Sequence, residues 1–172
     1  MKKMIFITGG ARSGKSSFAM AEASKIPGKK AYIATAQALD DEMRQRIEHH
    51  KKQRTSEWCT HEEPLKIASL IETIRDDCSA IIVDCLTLWL SNLIQAGMDV
   101  EAEMRHLMSA LDHPHPPLYI VSNEVGMGIV PVNSLARSFR DMAGLLNQKI
   151  AAASDEVYMT VAGIPVRIKG GR

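Results

Sequence analysis

The 172-residue chain has little of several things that would fix its class at once. It has three cysteines, Cys59, Cys78 and Cys85, with no C-x-x-C pair among them. An odd count without that spacing gives no closed disulfide framework, and fits a reducing, cytoplasmic setting. It has no long apolar run. Behind Met1-Lys2-Lys3 the stretch Met4 to Ile7 is cut off by Thr8-Gly9-Gly10, so it reads as a strand and not a signal peptide, and nothing approaches the roughly 18 apolar residues of a membrane span. It has no excess of one charge: 21 Lys or Arg against 20 Asp or Glu leave +1, which argues against wrapping nucleic acid by charge and for a small-molecule partner. No internal repeat is visible. With 45% hydrophobic and 24% charged residues, what is left is one globular domain, 1–172, large enough to bury a core.

The patterning is of two kinds. Short runs apolar on both faces predict strands at Met4–Thr8, Lys30–Thr35, Ala80–Asp84, Leu118–Ser122 and Val157–Val161. Helical periodicity predicts Lys15–Lys25, Asp40–Lys52, Leu65–Asp76, Leu86–Ala96, Val100–Leu111 and Ser134–Ala153, with the stripe Leu135, Phe139, Met142, Leu146 and Ile150 as core. Alternation of strand and helix implies right-handed crossovers and an α/β fold, a mostly parallel twisted sheet flanked by helices. Gly163-Ile164-Pro165 followed by Val166–Ile168 predicts a C-terminal antiparallel edge hairpin. His113-Pro114-His115-Pro116-Pro117 predicts a rigid connector with two solvated histidines, since no carboxylate or cysteine stands at ligand spacing.

Gly9-Gly10-Ala11-Arg12-Ser13-Gly14-Lys15-Ser16 satisfies G-x4-G-K-[ST] between the first strand and the first helix. The glycines let consecutive N–H groups turn toward phosphate, and the helix N-terminus adds favourable partial charge. Lys15 is expected on the β and γ phosphates and Ser16 on Mg2+. Ala80 to Asp84 reads as an apolar strand ending in a carboxylate, with Asp84 as a second Mg2+ ligand, direct or through water; a helix N-cap ahead of Leu86 is its competing role. After the fourth strand, Asn123 to Pro131 reads as a shaped loop at the edge where open α/β sheets bind ligands. Arg137 and Arg140 are read as solvated surface, and the ten methionines as core filling.

In Asp40–Arg54, Met43, Ile47, His50 and Arg54 share one helical face, which turns His50 toward the protein body and leaves His49 toward solvent. Cations at Lys51, Lys52 and Arg54 would keep an imidazole neutral and nucleophilic and would steady phosphate. On the residues alone, a basic amphipathic helix with incidental histidines accounts for this segment at least as well.

Several motifs in order, Ile7 to Ser16, Tyr32-Ile33-Ala34-Thr35-Ala36, Asp41-Glu42-Met43, Arg46-Ile47, His50 to Arg54 and Asn123 to Pro131, resemble the bifunctional adenosylcobinamide kinase and adenosylcobinamide-phosphate guanylyltransferase family of cobalamin biosynthesis. Arg137, Phe139-Arg140-Asp141, Ala143-Gly144, Asn147-Gln148 and Asp155-Glu156-Val157 extend the match, while no family motif is found between Gln95 and Pro117. The resemblance implies a P-loop NTPase-like fold and two reactions. A hydroxyl of adenosylcobinamide takes a phosphoryl group from ATP or GTP; a histidine, matched by His50, then takes GMP from GTP and passes it to adenosylcobinamide phosphate. It implies guanine-nucleotide contacts at Ala34, Thr35, Ala36, Lys51, Lys52, Gln53, Arg54, Glu62 and Asp84, and a homo-oligomer. A carboxylate such as Glu62 can accept from guanine N1–H and its amine, although a solvated acid beside Glu63 and backbone groups near Thr35 are the alternatives. A transferase without the kinase step, a kinase for another alcohol and a nucleotide-dependent binding switch are the rival readings. The neutral total conceals a division: residues 1–54 hold 12 cations against 5 anions, net +7, and residues 55–172 hold 9 against 15, net −6. The positive part contains both the phosphate loop and the His50 segment.

Overall fold

In the computed structural model, residues 3–38, 41, 56–113 and 115–171 are described. The strands are β1 (Met4–Gly9), β2 (Lys30–Ala34), β3 (Trp58–Glu62), β4 (Ala80–Asp84), β5 (Leu118–Val121), β6 (Glu156–Val161) and β7 (Ile164–Lys169); the helices are α1 (Lys15–Ala23), α2 (Ile67–Ile74), α3 (Leu86–Gln95), α4 (Val100–Asp112) and α5 (Ser134–Ala153). One seven-stranded sheet runs β3-β2-β4-β5-β1-β6-β7, parallel throughout except for the antiparallel β6–β7 pair. The mostly parallel sheet, the flanking helices and the edge hairpin are as expected.

The strands are apolar on both faces because helices cover both. Met4 and Phe6 of β1 point into one core with Ile33, Ile81, Val83, Trp89, Leu107, Leu146 and Ile150, while Ile5 and Ile7 point into the other with Tyr32, Ile82, Val121, Ala19 and Ala23. The small Ala19 and Ala23 let α1 lie close to the strands, which fixes the loop preceding it. Full burial of a large apolar side chain stabilises by about 1.5–3 kcal/mol, so this two-sided core is the main force holding helices and central strands together.

Four expectations are corrected. The strand β3 lies in a stretch, Trp58-Cys59-Thr60-His61-Glu62, that has no apolar run; among the described residues it is an edge strand paired only with β2 and half-exposed along its length, so burial never forced an apolar pattern on it. The Leu135 stripe is core only at its end: Leu146 and Ile150 are buried, Phe139 and Met142 are half-buried, and Leu135 is 63% exposed. His115 is buried instead of solvated, its Nδ1 against the Pro116 carbonyl at 2.7 Å, whereas His113 is exposed. The second helix starts at Ile67 and not Leu65, since the Glu63 carboxylate accepts from the N–H groups of Leu65 and Lys66 and so caps the turn before it. The helix expected over Asp40–Lys52 lies, apart from Asp41, outside the described residues.

Candidate active site

Parallel register brings the chemistry to one edge. Ala34 pairs with both Glu62 and Asp84, Asp84 pairs with Val121, Ile7 pairs with Val121, and β1 runs on into the glycine-rich loop. All these strands point the same way, so Glu62, Ala34, Asp84 and the loop emerge together at the carboxyl ends, where ligands bind in open α/β sheets.

The loop is shaped by contacts a larger residue would break. Gly9 has φ 148°, and a Cβ there would stand 2.5 Å from the Thr160 carbonyl oxygen. Lys15 is buried, 7% exposed, and its Nζ donates to the Gly10 carbonyl at 2.6 Å, while Ser13 N donates to the same oxygen at 3.3 Å. The Gly10 carbonyl thus helps to hold the ammonium inside the loop. Ser16 is half-buried in the first turn of α1.

Asp84 does not cap the following helix: the N-cap of α3 is Cys85, and no side chain bonds there. Its Oδ2 instead accepts from the buried Tyr32 hydroxyl at 2.5 Å, which fixes the carboxylate at the strand end. Next to it the Cys85 thiol is pushed up to about 11 by burial and then by the Asp84 charge, so it stays protonated and is no competing nucleophile. Thr35 is fully buried. Its hydroxyl donates to the Cys85 carbonyl at 2.8 Å and accepts from Cys85 N at 2.7 Å, and Thr35 N donates to Asp84 O at 3.0 Å, which joins the ends of β2 and β4. Asn92 completes the joint, with its Nδ2 donating to Thr35 O at 2.8 Å and to Pro64 O at 3.1 Å. Sequence reasoning did not single out Tyr32 or Asn92 as supports, since each is one polar atom in an apolar run.

Glu62 is exposed at the tip of β3, and Glu63 is the one committed to the turn ahead of α2. The Asn123–Pro131 loop is stitched to the site: Glu124 N donates to Gly9 O at 2.9 Å, Asn123 N donates to the Thr87 hydroxyl at 2.7 Å, and Asn147 Nδ2 donates to Asn123 O at 3.1 Å. Arg137 is no free surface cation, because its Nη1 holds the Pro131 and Val132 carbonyls at 3.0 and 2.5 Å. Beyond that anchor the loop exposes Met127, Ile129, Val130 and Val132. His50, Lys51, Lys52, Gln53 and Arg54 lie outside the described residues.

The family model for cobinamide kinase / cobinamide phosphate guanyltransferase matches residues 5–168. The chain belongs to that family. It is 44% identical over 181 residues to a bifunctional adenosylcobalamin biosynthesis protein of Salmonella typhimurium, covering 96% of this chain and 99% of the relative. It is 42% identical to the corresponding protein of Pseudomonas aeruginosa, covering 95% and 96%. Solved structures with the same fold include the flagellar accessory protein FlaH of Methanocaldococcus jannaschii, with a TM-score of 0.56 at 12% identity, covering 99% of this chain and 79% of that one. A KaiC-like protein of Pyrococcus horikoshii gives 0.51 at 11%, covering 92% and 70%. These likenesses make the fold P-loop NTPase-like. As a family member the chain is a cobinamide kinase and cobinamide phosphate guanylyltransferase, an enzyme of cobalamin biosynthesis. No helix among the described residues is long and apolar enough to cross a membrane.

Proposed function

We propose that this enzyme works through the residues of the sheet edge and of the His50 segment. In the first reaction the aminopropanol hydroxyl of adenosylcobinamide attacks the γ-phosphorus of ATP or GTP, losing its proton to water as the bridging P–O bond breaks and the nucleoside diphosphate leaves. The loop of Gly9, Gly10, Ala11, Arg12, Ser13, Gly14, Lys15 and Ser16 cradles the phosphates with backbone N–H groups, and Lys15 neutralises charge on the β and γ groups. In the second reaction a ring nitrogen of His50 attacks the α-phosphorus of GTP. A P–N bond forms as the α–β P–O bond breaks and pyrophosphate leaves. A phosphate oxygen of adenosylcobinamide phosphate then displaces His50, giving adenosyl-GDP-cobinamide. Lys51, Lys52, Gln53 and Arg54 steady the GTP phosphates, and Glu62 reads the guanine edge, with backbone groups of Ala34, Thr35 and Ala36 packing beside it.

The donors fit Mg2+. Ser16 and Asp84 offer hard oxygens, and among the described residues no cluster of three or more His, Cys, Asp or Glu forms a protein cage. That matches an ion that is held by one or two protein oxygens and completes its shell with phosphate and water. Held there, it would supply neutralisation of the phosphate charge. Tyr32 keeps the Asp84 carboxylate aimed for this role. The whole acts in the cytoplasm as a homo-oligomer, without nucleic acid or a membrane.

The observation that carries this reading is the convergence of Lys15, Asp84 and Glu62 on one sheet edge in a chain that matches bifunctional relatives over nearly its full length. Intact mass after incubation with GTP and Mg2+ tests it. An acid-labile gain of one GMP is expected in the parent and in His49→Ala and is absent in His50→Ala; no adduct under any condition refutes the transferase assignment. Phosphorylation of cobinamide, abolished by Lys15→Ala, tests the kinase step. Transferase activity without it would favour the rival that lacks the kinase.

A further inference from the structure

The β6–β7 hairpin meets the phosphate loop at three points. Its two-residue turn, Ala162 at φ 51° and Gly163 at φ 83°, is the left-handed pair that matches the twist of a tight hairpin. From this turn Gly163 N donates to Ser13 O at 3.0 Å. The Gly163 backbone also lies so close to the loop that a Cβ on Gly14 would stand 3.1 Å from Gly163 Cα. One residue before the turn's strand ends, the Thr160 hydroxyl, 1% exposed, pairs with the Ser13 hydroxyl at 2.7 Å. Ser13 is thus held by its carbonyl and by its side chain, both from the hairpin.

A trans peptide sets its C=O and the next N–H in opposite directions. With Ser13 O drawn toward the hairpin, Gly14 N–H must point away from it. We propose that the hairpin turn is a positioning clamp for nucleotide phosphate: Gly163, supported by Thr160, fixes the Ser13–Gly14 peptide so that Gly14 N–H is aimed at phosphate before nucleotide arrives. The clamp touches no substrate and acts only through Ser13. It explains why an edge hairpin whose β7 strand is exposed along its whole length keeps a left-handed turn in contact with the loop. It rests on the assignment of Gly9–Ser16 as the nucleotide site.

Three variants and the parent test it, with GTP and cobinamide KM and kcat measured for each and the folded fraction matched by circular dichroism. Gly163→Val disfavours the positive φ and should raise the GTP KM about fivefold, near the worth of one hydrogen bond, with kcat and the cobinamide KM within twofold of the parent. Gly163→Asn, which tolerates the left-handed region, should stay near the parental GTP KM. Thr160→Val, which keeps shape and loses the hydroxyl, should show a smaller rise in the same constant. A parental GTP KM in Gly163→Val overturns the clamp, as does a loss confined to kcat. If Gly163→Val does not fold, Thr160→Val decides alone, and a GTP KM equal to the parent's overturns it. A parent that binds no GTP, or binds it equally well as Lys15→Ala, would instead refute the nucleotide site itself.

Discussion

Asn92 is one amide from the middle of α3, yet it ties down the ends of two strands that frame the site. Its Nδ2 serves Thr35 O, which is buried, and Pro64 O, which is partly buried. Asn92→Leu keeps the volume, removes both donors and strands the two carbonyls. A buried acceptor left alone costs about 1–3 kcal/mol. Taking about 2 kcal/mol for Thr35 O and about 1 kcal/mol for Pro64 O, which water can reach, and allowing about 1 kcal/mol back for the apolar leucine, the net loss is about 2 kcal/mol. For a chain of this size that lowers Tm by about 4–8 °C. Urea unfolding should show the same loss as a lower midpoint at an unchanged slope, the sign of a stability change without altered compactness. Asn92→Asp should be worse than the leucine, because it sets a carboxylate against two carbonyl oxygens. The site should feel it too: with the Thr35 backbone freed at the end of β2, the GTP KM should rise more than the cobinamide KM. An Asn92→Leu protein as stable as the parent, or an Asn92→Asp protein more stable than Asn92→Leu, would refute this account of the joint.

Two further outcomes are expected. The adjacent acids should separate cleanly: Glu62→Gln should raise the GTP KM of the transferase about tenfold and leave the ATP KM of the kinase step alone, whereas Glu63→Ala should cost about 1 kcal/mol in thermal melts through the lost cap and leave base selectivity unchanged. The reverse pattern would assign the base reader to Glu63. The Glu156 carboxyl sits below the usual carboxylate range, chiefly through its hydrogen bond from Lys3 and also from the Tyr158 hydroxyl at 2.9 Å. A lowered folded value means that this stabilisation is complete above the unfolded carboxylate pKa and is lost as pH falls below about 4.5 through the folded value. Melting curves from pH 6 to pH 3 should therefore fall less steeply for Glu156→Gln, and parallel profiles would exclude the linkage.

The glycine-rich loop between β1 and α1 was readable because its conformation is local: a strand, three glycines, a lysine and a serine at fixed spacing dictate a tight turn into a helix N-terminus. The two-faced apolar strands were readable because burial on both sides leaves no room for alternation, and they predicted the helices on both faces. The edge strand Trp58–Glu62 was not, because a strand with one partner and an exposed side needs no apolar run. The first half of the Leu135 stripe misled for a related reason: periodicity records which face a residue shares, not whether anything packs against that face.

Composition, strand order of type and the phosphate-binding motif were set by the chain itself, because each depends on neighbours within a few residues. Tertiary structure decided which neighbours became supports. Tyr32 meets Asp84 across 52 positions, Asn92 meets Thr35 across 57, and Thr160 meets Ser13 across 147. Such pairs have no periodicity or spacing to read, since the distance between them is closed by sheet register and helix packing and not by the local conformation of the backbone.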